Sequence, residues 1–374
     1  MKKVSVLFLA IAMLAAFACP FTAGAANEKA QAQAMSASVA SWLSKNAPVV
    51  KDSTDIDGNI DWSAFACFRA GFGGYEGYLS FAEKAVAANY DMLYTSDLAR
   101  IALAVGAVGG DPTTVGGHNL IEAIAKTDFQ SESYTAAVSC SLLALNSKDY
   151  GYAEVKEELK GILISAQRED GGFNYLLKID PADEYSKQGD VDSTAMVLQA
   201  LAPYAAEIPD TVKPAAGFIQ SSQKESGGFG GAWGESADST AQSLAAFSEL
   251  GIDPLANEYV KNGKNVLDAL KSYQNTDGGM KGFDGKSNVM SSYQVLYALS
   301  AYLRFADGKA GLYEFMDTDI PQETTQPEET AATDENPQKT PTPATGSETT
   351  VAVVLFALAC IGSALSLRKR HEEV

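Results

Sequence analysis

The chain repeats itself, and that limits its fold more than any other feature. Three turns read alike: Gln167-Arg-Glu-Asp-Gly-Gly-Phe173, Gln223-Lys-Glu-Ser-Gly-Gly-Phe229 and Gln274-Asn-Thr-Asp-Gly-Gly-Met280. Each leads into a second matching stretch: Asp192-Ser-Thr-Ala-Met-Val-Leu-Gln-Ala-Leu201, Asp238-Ser-Thr-Ala-Gln-Ser-Leu-Ala-Ala-Phe247 and Met290-Ser-Ser-Tyr-Gln-Val-Leu-Tyr-Ala-Leu299. Fainter copies lie near 96–105 and 136–145, and a first pair is expected to start at Asp61-Trp62. Self-similarity at a period of roughly fifty residues marks units that cannot bury their apolar faces alone and must stack.

Local chemistry gives the unit its shape. The Gly-Gly turn ends a helix, because glycine adopts positive φ at the C-cap without a Cβ clash. Asp-Ser-Thr then starts another, with Asp192 and Asp238 expected as N-caps that accept from free backbone N–H groups. Apolar residues follow at helical spacing, as in Ala195, Leu198, Leu201 and Ala202. Long strand-like alternation is missing from the sequence, so the expected class is all-α, built of helical hairpins that end in caps or close into a ring.

Both ends of the chain read as addresses. Lys2 and Lys3, an apolar run and Ala23-Gly24-Ala25 give the charged, apolar and cleavable order of a secretory signal peptide over 1–25. Segment 26–60 is expected to be a helical lead-in and 61–317 the repeat domain. Residues 318–345 are rich in Pro, Thr, Glu and Gln and too poor in large apolar side chains to offset ordering entropy, which predicts a disordered stalk. Region 346–374 then holds an apolar stretch of transmembrane length, 351–367, and the basic stop Arg368-Lys369-Arg370. Just before it, Thr342-Pro343-Ala344-Thr345-Gly346 resembles the L-P-x-T-G sorting motif of Gram-positive surface proteins, with Thr in place of Leu. That resemblance implies export, cleavage by a sortase between Thr345 and Gly346, and covalent attachment to peptidoglycan.

The net charge of −19 argues against a nucleic-acid partner, which calls for a basic patch. Of four cysteines, Cys19 and Cys360 fall in the leader and the apolar tail, so only Cys67 and Cys140 remain in the domain. Both sit in Ala- and Leu-rich stretches that suit buried thiols, with one disulfide as the alternative.

The Q-x-x-D-G-G-F turn followed by D-S-T-A-x-x-L-x-A-L resembles the prenyltransferase and squalene-cyclase repeat over about Asp61 to Phe315. Further stretches resemble its secreted bacterial branch, among them Thr95-Ser-Asp-Leu-Ala-Arg100 and Val115-Gly-Gly-His-Asn-Leu120. The resemblance implies an α/α toroid around a central cavity. This fold is shared by squalene–hopene cyclases, protein prenyltransferase β subunits and the cobalamin carriers of the intrinsic factor and transcobalamin group. A fold hosts many activities, so residues must decide.

Class II terpene cyclases protonate an alkene with an acid in D-x-D-D-T-A. The chain reads Asp190-Val-Asp192-Ser-Thr-Ala195, which places Asp192 at the acid position but substitutes Ser193 for the last carboxylate. Losing a paired carboxylate removes part of the tuning that a strong acid needs. Asp192 therefore has three competing roles: helix cap, cavity contact or proton donor. The zinc set of protein prenyltransferases has no counterpart, since His118 is the sole histidine before the stalk and no ligands stand at a metal spacing around it. Asp55, Asp57, Gly58 and Asp61 echo half a calcium loop, but Ala64 occupies the closing Glu position, so a polar turn is expected there. No metal and no cofactor is implied.

These readings lead to a wall-displayed protein whose cavity binds a small molecule without catalysis. A corrinoid or a hydrophobic ligand such as an isoprenoid fits the resemblance. Candidate contacts are Asp190, Asp192, Tyr204, Asp238, Trp233 and Tyr293. Two alternatives stay open: a divergent terpene-cyclase-like enzyme using Asp192, and an adhesion module whose rim binds protein or glycan.

Overall fold

The structure, a computed structural model, describes residues 23–315. The expected stalk, the sorting motif Thr342–Gly346, the apolar run 351–367 and most of the leader lie outside the described residues. No helix among the described residues is long and apolar enough to cross a membrane.

Helices dominate. In chain order they are α1 (Ala23–Asn46), α2 (Gly58–Arg69), α3 (Tyr78–Asn89), α4 (Thr95–Ala107), α5 (Leu120–Ala125), α6 (Thr135–Asn146), α7 (Ala153–Ser165), α8 (Val191–Leu201), α9 (Pro209–Ser221), α10 (Ala237–Glu249), α11 (Val266–Tyr273) and α12 (Val289–Ala306). Two minimal antiparallel hairpins interrupt them, β1 (Gly230–Gly231) with β2 (Gly234–Glu235), and β3 (Met280–Lys281) with β4 (Ser287–Asn288).

The even-numbered helices form a closed inner ring in the order α2, α4, α6, α8, α10, α12 and back to α2. The odd-numbered helices lie outside: α5, α7, α9 and α11 pack mainly on the inner helix that precedes each, α3 packs on α4, and α1 takes the outer place beside α12. Segment 26–60 is thus no separate lead-in: Gln31 donates to the Leu267 carbonyl of α11 (3.3 Å), and Trp42 Nε1 donates to Asp277 in the turn before α12 (3.1 Å). The expected α/α toroid is what forms, with its first helix completing its last hairpin.

Inner helices are flanked on two sides, by outer helices and by the ring axis, which is why their sequences are apolar nearly all round. On α6 every residue from Thr135 to Leu145 is buried. Side chains from several inner helices fill the axis. Phe65 stacks on Tyr313 at 5.5 Å, and Gln199 donates to Gln242 (2.8 Å), which donates to Gln294 (3.1 Å) and to the Tyr297 hydroxyl (2.5 Å). Tyr313 donates to Gln199 (2.8 Å), so the amide chain is satisfied, as buried polar groups require.

The repeated sequence appears as a repeated hydrogen-bond device. The Gln side chains donate to the Gly carbonyls of their own turns, Gln167 to Gly171 (2.8 Å), Gln223 to Gly227 (3.1 Å) and Gln274 to Gly278 (3.2 Å). Those glycines have φ of 86°, 85° and 96°, and a Cβ on any of them would press on the next outer helix or its cap, at Pro214, Asn265 and Ser38 respectively. That the third turn meets Ser38 of α1 shows the ring closing by the same contact that builds it. Hydroxyls then tie turn to inner helix: the N–H groups of Phe173, Phe229 and Met280 donate to Thr194, Thr240 and Ser292 (2.8, 3.0 and 2.9 Å).

The C-terminal ends of the inner helices are sealed by the last described segment. Arg69 donates to the carbonyls of Gly311 and Glu314, both at 3.0 Å, and Arg304 donates to that of Ala310 (2.8 Å). Leu312 N–H donates to Glu249 (2.8 Å), and Phe315 N–H donates to the Ser147 carbonyl (2.9 Å). Phe315 packs so closely on Gly106 that a Cβ there would lie 2.6 Å from its ring.

Cys67 and Cys140 are buried thiols and are not joined in a disulfide. Asp61, expected within a polar turn, sits in the first turn of α2 and is buried, accepting from Arg100 Nε (2.9 Å) and the Tyr78 hydroxyl (2.8 Å). The cap of α2 is Asp57, which accepts from Asn59 N–H (2.9 Å). His118 stacks on Tyr90 with ring centroids 3.6 Å apart.

Candidate functional site

The opposite, N-terminal end of the ring carries three acids. Asp190 and Asp192 open α8, and Asp238 lies in the first turn of the neighbouring α10. The sequence places the caps at Asp192 and Asp238; the structure places them two residues earlier. Asp190 accepts from Ser193 N–H (2.7 Å), Ser236 from Ser239 N–H (2.9 Å) and Asn288 from Ser291 N–H (3.1 Å). A cap must reach an N–H up to three residues ahead, and these residues have the extended backbone that permits it. Asp192 and Asp238 are therefore not needed as caps.

Asp192 instead turns toward α10, where Ser239 Oγ donates to its Oδ2 (3.1 Å). Its Oδ1 is buried and meets no donor among the described residues, and the same holds for Oδ2 of Asp190 and Oδ1 of Asp238. Burial pushes the Asp192 carboxyl up to about 8, with the charges of Asp190 and Asp238 adding to the rise and the Ser239 hydroxyl opposing it. Burial also raises Asp190 to about 6, against the N–H bonds of its capping role, and Asp238 to about 6, against the Ser291 hydroxyl. Of the three acids, Asp192 is pushed furthest toward its protonated form, because both neighbours add to the effect of burial. The positive ends of the α8, α10 and α12 dipoles converge on the same mouth and favour negative charge there.

Aromatic side chains lie on the same side of the ring, and Tyr185 and Tyr175 face the acids. The loop between Phe173 and Asp190 is longer than its later counterparts and brings Tyr185 to Tyr175 (6.4 Å, stacked) and to Trp233 (6.4 Å, tilted). Trp233 projects from the β1–β2 turn and is 77% exposed; Phe283, on the next hairpin, is 87% exposed. On α12 Tyr293 is stacked on Trp62 of α2 at 6.3 Å.

Of the sequence candidates, the structure brings Asp190, Asp192 and Asp238 together, puts Trp233 on the rim and Tyr293 on the adjoining inner helix. Tyr204 is elsewhere. It follows the C-terminal end of α8, donates to Asn146 (3.1 Å) and lies under the Lys160 ammonium (4.9 Å), so it belongs to the far face and is packing there. Phe173 and Phe229, which follow the Gly-Gly turns, are buried in the core. Tyr185, Ser239 and Ser291 are new members. The long loop after Phe173 was the available signal for Tyr185; the serines were hidden in the repeat as helix-start residues. No group of three or more His, Cys, Asp and Glu side chains suited to a metal ion occurs among the described residues.

No family model matches the chain, and no curated protein matches it. Solved structures do. A polysaccharide lyase aligns with a TM-score of 0.54 and 13% identity, over 75% of this chain and 99% of that one. A glycosyl hydrolase of family 88 from Bacteroides vulgatus aligns with 0.53 and 12%, over 73% and 99%. An ent-copalyl diphosphate synthase from Streptomyces platensis aligns with 0.44 and 16%, over 67% and 50%. At these identities the first two show the fold, an α/α toroid found in enzymes, and leave the chemistry to this chain's own residues.

Proposed function

We propose that the mouth of the ring binds a saccharide and acts on it by acid–base catalysis, with Asp192 as the acid and Asp238 as the base. One arrangement carries the reading: Asp192, with a buried and unpartnered oxygen, turns toward the neighbouring helix that carries Asp238, and burial and the two other acids favour its protonated form. Environments that push two carboxyls apart are how acid and base roles are assigned. Asp192 gives its proton to the glycosidic oxygen as the C–O bond breaks, and Asp238 takes a proton from the water whose oxygen bonds to the anomeric carbon. Asp190 is held by its cap and shapes the field. Trp233 and the Tyr175–Tyr185 pair supply flat faces for sugar rings. The named activities of the two better-aligned neighbours, on polysaccharides and glycosides, agree with this choice.

The polar floor suits a hydroxylated ligand better than the corrinoid or isoprenoid that the sequence first suggests. A second reading keeps Asp192 as an acid but gives it an alkene, on the strength of its position in Asp190-Val-Asp-Ser-Thr-Ala195. The filled ring axis leaves little room for a long isoprenoid and counts against it. Display on the cell wall through Thr342–Gly346 remains part of the proposal, and a Thr345→Ala chain released into the medium instead of the wall fraction is its expected signature.

The test is an oligosaccharide panel read by both binding and product formation. Turnover that Asp192→Asn abolishes while binding persists supports catalysis. Saturable binding without turnover in the unsubstituted protein leaves a non-catalytic saccharide receptor. Neither binding nor turnover with any saccharide defeats the reading, and isoprenoids and corrinoids become the next ligands to try.

A further inference from the structure

Among the described residues no Lys or Arg forms an ion pair with the acid cluster, and that bears on which ligand it takes. Arg168 is within electrostatic reach of Asp190. Its guanidinium is spent on backbone carbonyls, those of Ser186 (2.8 Å), Ala166 (2.6 Å), Leu176 (2.5 Å) and Leu177 (3.3 Å). The comparison within the molecule is Asp61, another buried acid at the start of an inner helix, which has Arg100 against it at 2.9 Å. A buried carboxylate without a cation is costly, and a cluster of them more so. Asp190 is only 9% exposed, yet its Oδ2, like Oδ1 of Asp192 and Oδ1 of Asp238, is left without a donor among the described residues. These oxygens are acceptors awaiting donors, and a ligand is what can bring them.

We infer that the site selects an amine-bearing saccharide, whose ammonium group enters between Asp190, Asp192 and Asp238 and supplies the missing positive charge. This rests on the saccharide reading above and narrows it to one substrate class. An ammonium offers three donors to three unpartnered oxygens. The Trp62–Tyr293 stack and the Tyr185–Trp233 pair add ring faces to which a cation is attracted. The overall charge of −19 favours approach of a cation and opposes a uronate or sulfated glycan. N-acetylation removes the charge and two donors, so an acetylated amino sugar is expected to lose the advantage. The ammonium balances the charges of Asp190 and Asp238, and Asp192 keeps the proton that the reaction spends.

The experiment is calorimetric titration of the full chain with three probes of equal length: a glucosamine oligomer, its N-acetylated counterpart and an oligogalacturonate. The glucosamine oligomer is expected to bind at least about tenfold more tightly than the acetylated one, one charge interaction's worth. The uronate should be weakest. Asp238→Asn, which keeps shape and removes charge, should bring the amine's affinity down to that of the acetylated oligomer, and unchanged thermal melting at pH 5 would show that the variant folds. If the acetylated or uronate oligomer binds as tightly as the amine, or Asp238→Asn leaves the ranking as it was, the amine assignment is wrong while a saccharide site stands. If all three probes and the wider oligosaccharide panel fail to bind, the saccharide reading falls and the amine assignment with it.

Discussion

The two halves of the ring treat a buried acid at the start of an inner helix in opposite ways. On α2, Asp61 is neutralised by Arg100 and bonded by Tyr78. On α8, Asp192 has one serine hydroxyl and two other acids. Burial raises the pKa of both, but at Asp61 the Arg100 charge and hydrogen bonds oppose it, whereas at Asp192 the neighbouring carboxylates add to it. The first arrangement fixes two helices to each other. The second gathers like charges at the N-terminal end of the ring, the place of the proposed site.

The contrast can be broken most severely at its paired side. Arg100→Leu strands Asp61 as an uncompensated buried acid and should cost about 3–5 kcal/mol, read by chemical denaturation. A loss below about 1 kcal/mol would show that Asp61 simply takes up a proton at no penalty. The sealed end of the ring gives the next largest effect. Phe315→Ala removes a ring packed on Phe65 and Gly106 and lying under the Arg69 guanidinium at 5.2 Å, and should cost about 3 kcal/mol.

The unpaired side should respond with the reverse sign. For Asp192 the folded pKa is raised above the unfolded value of 3.8, so the folded state holds a proton that the unfolded chain has released. Stability is then fullest below pH 4 and is lost as pH rises toward 8, at up to about 1.4 kcal/mol per pH unit for such a group. Asp190 and Asp238 add to the same trend up to about 6, as does Glu249 up to about 7. Tyr185 faces Asp190 and Asp192 from the long loop, and burial keeps its hydroxyl protonated across this range. Asp192→Asn should flatten the decline and melt higher than the unsubstituted protein at pH 8, with little difference at pH 5. A lower melting temperature at pH 8 would mean that Asp192 stabilises the fold, as Asp61 does. The smallest effect belongs to Trp233→Ala: within about 0.5 kcal/mol in stability because the ring is exposed, but a clear loss of saccharide affinity.

The architecture was legible because its signals are local and repeated. Gly-Gly turns and helical spacing identify the hairpins from residues a few positions apart, and the repeat says they stack. What could not be read was ring closure by α1, since nothing in Ala23–Asn46 resembles the repeat it completes. The caps were misplaced for a related reason. Asp190, Ser236 and Asn288 differ in type, while the alike Asp192 and Asp238 draw the eye but stand inside the helices. The grouping of Asp190, Asp192 and Asp238 was within reach because equivalent positions of adjacent repeats become neighbours in a ring. The lack of a counter-ion was not, because it depends on how Arg168 spends its donors in three dimensions. Tyr204 misled for the opposite reason: a helix about eleven residues long spans roughly 16 Å, so two residues on one inner helix can serve opposite faces.

Phe315, the last described residue, is pinned at the face away from the acids. If the protein is held from its C-terminal side, as we propose, the acids lie at the end of the ring away from the point of attachment. The same geometry sets where mechanical force enters. A pull along the tether reaches the Phe315–Ser147 bond, the Phe315 ring on Gly106 and then the two Arg69 bonds before any inner helix is strained. Those contacts run in series with the load, so the segment can peel away link by link as a sacrificial clasp while the six hairpins behind it stay closed.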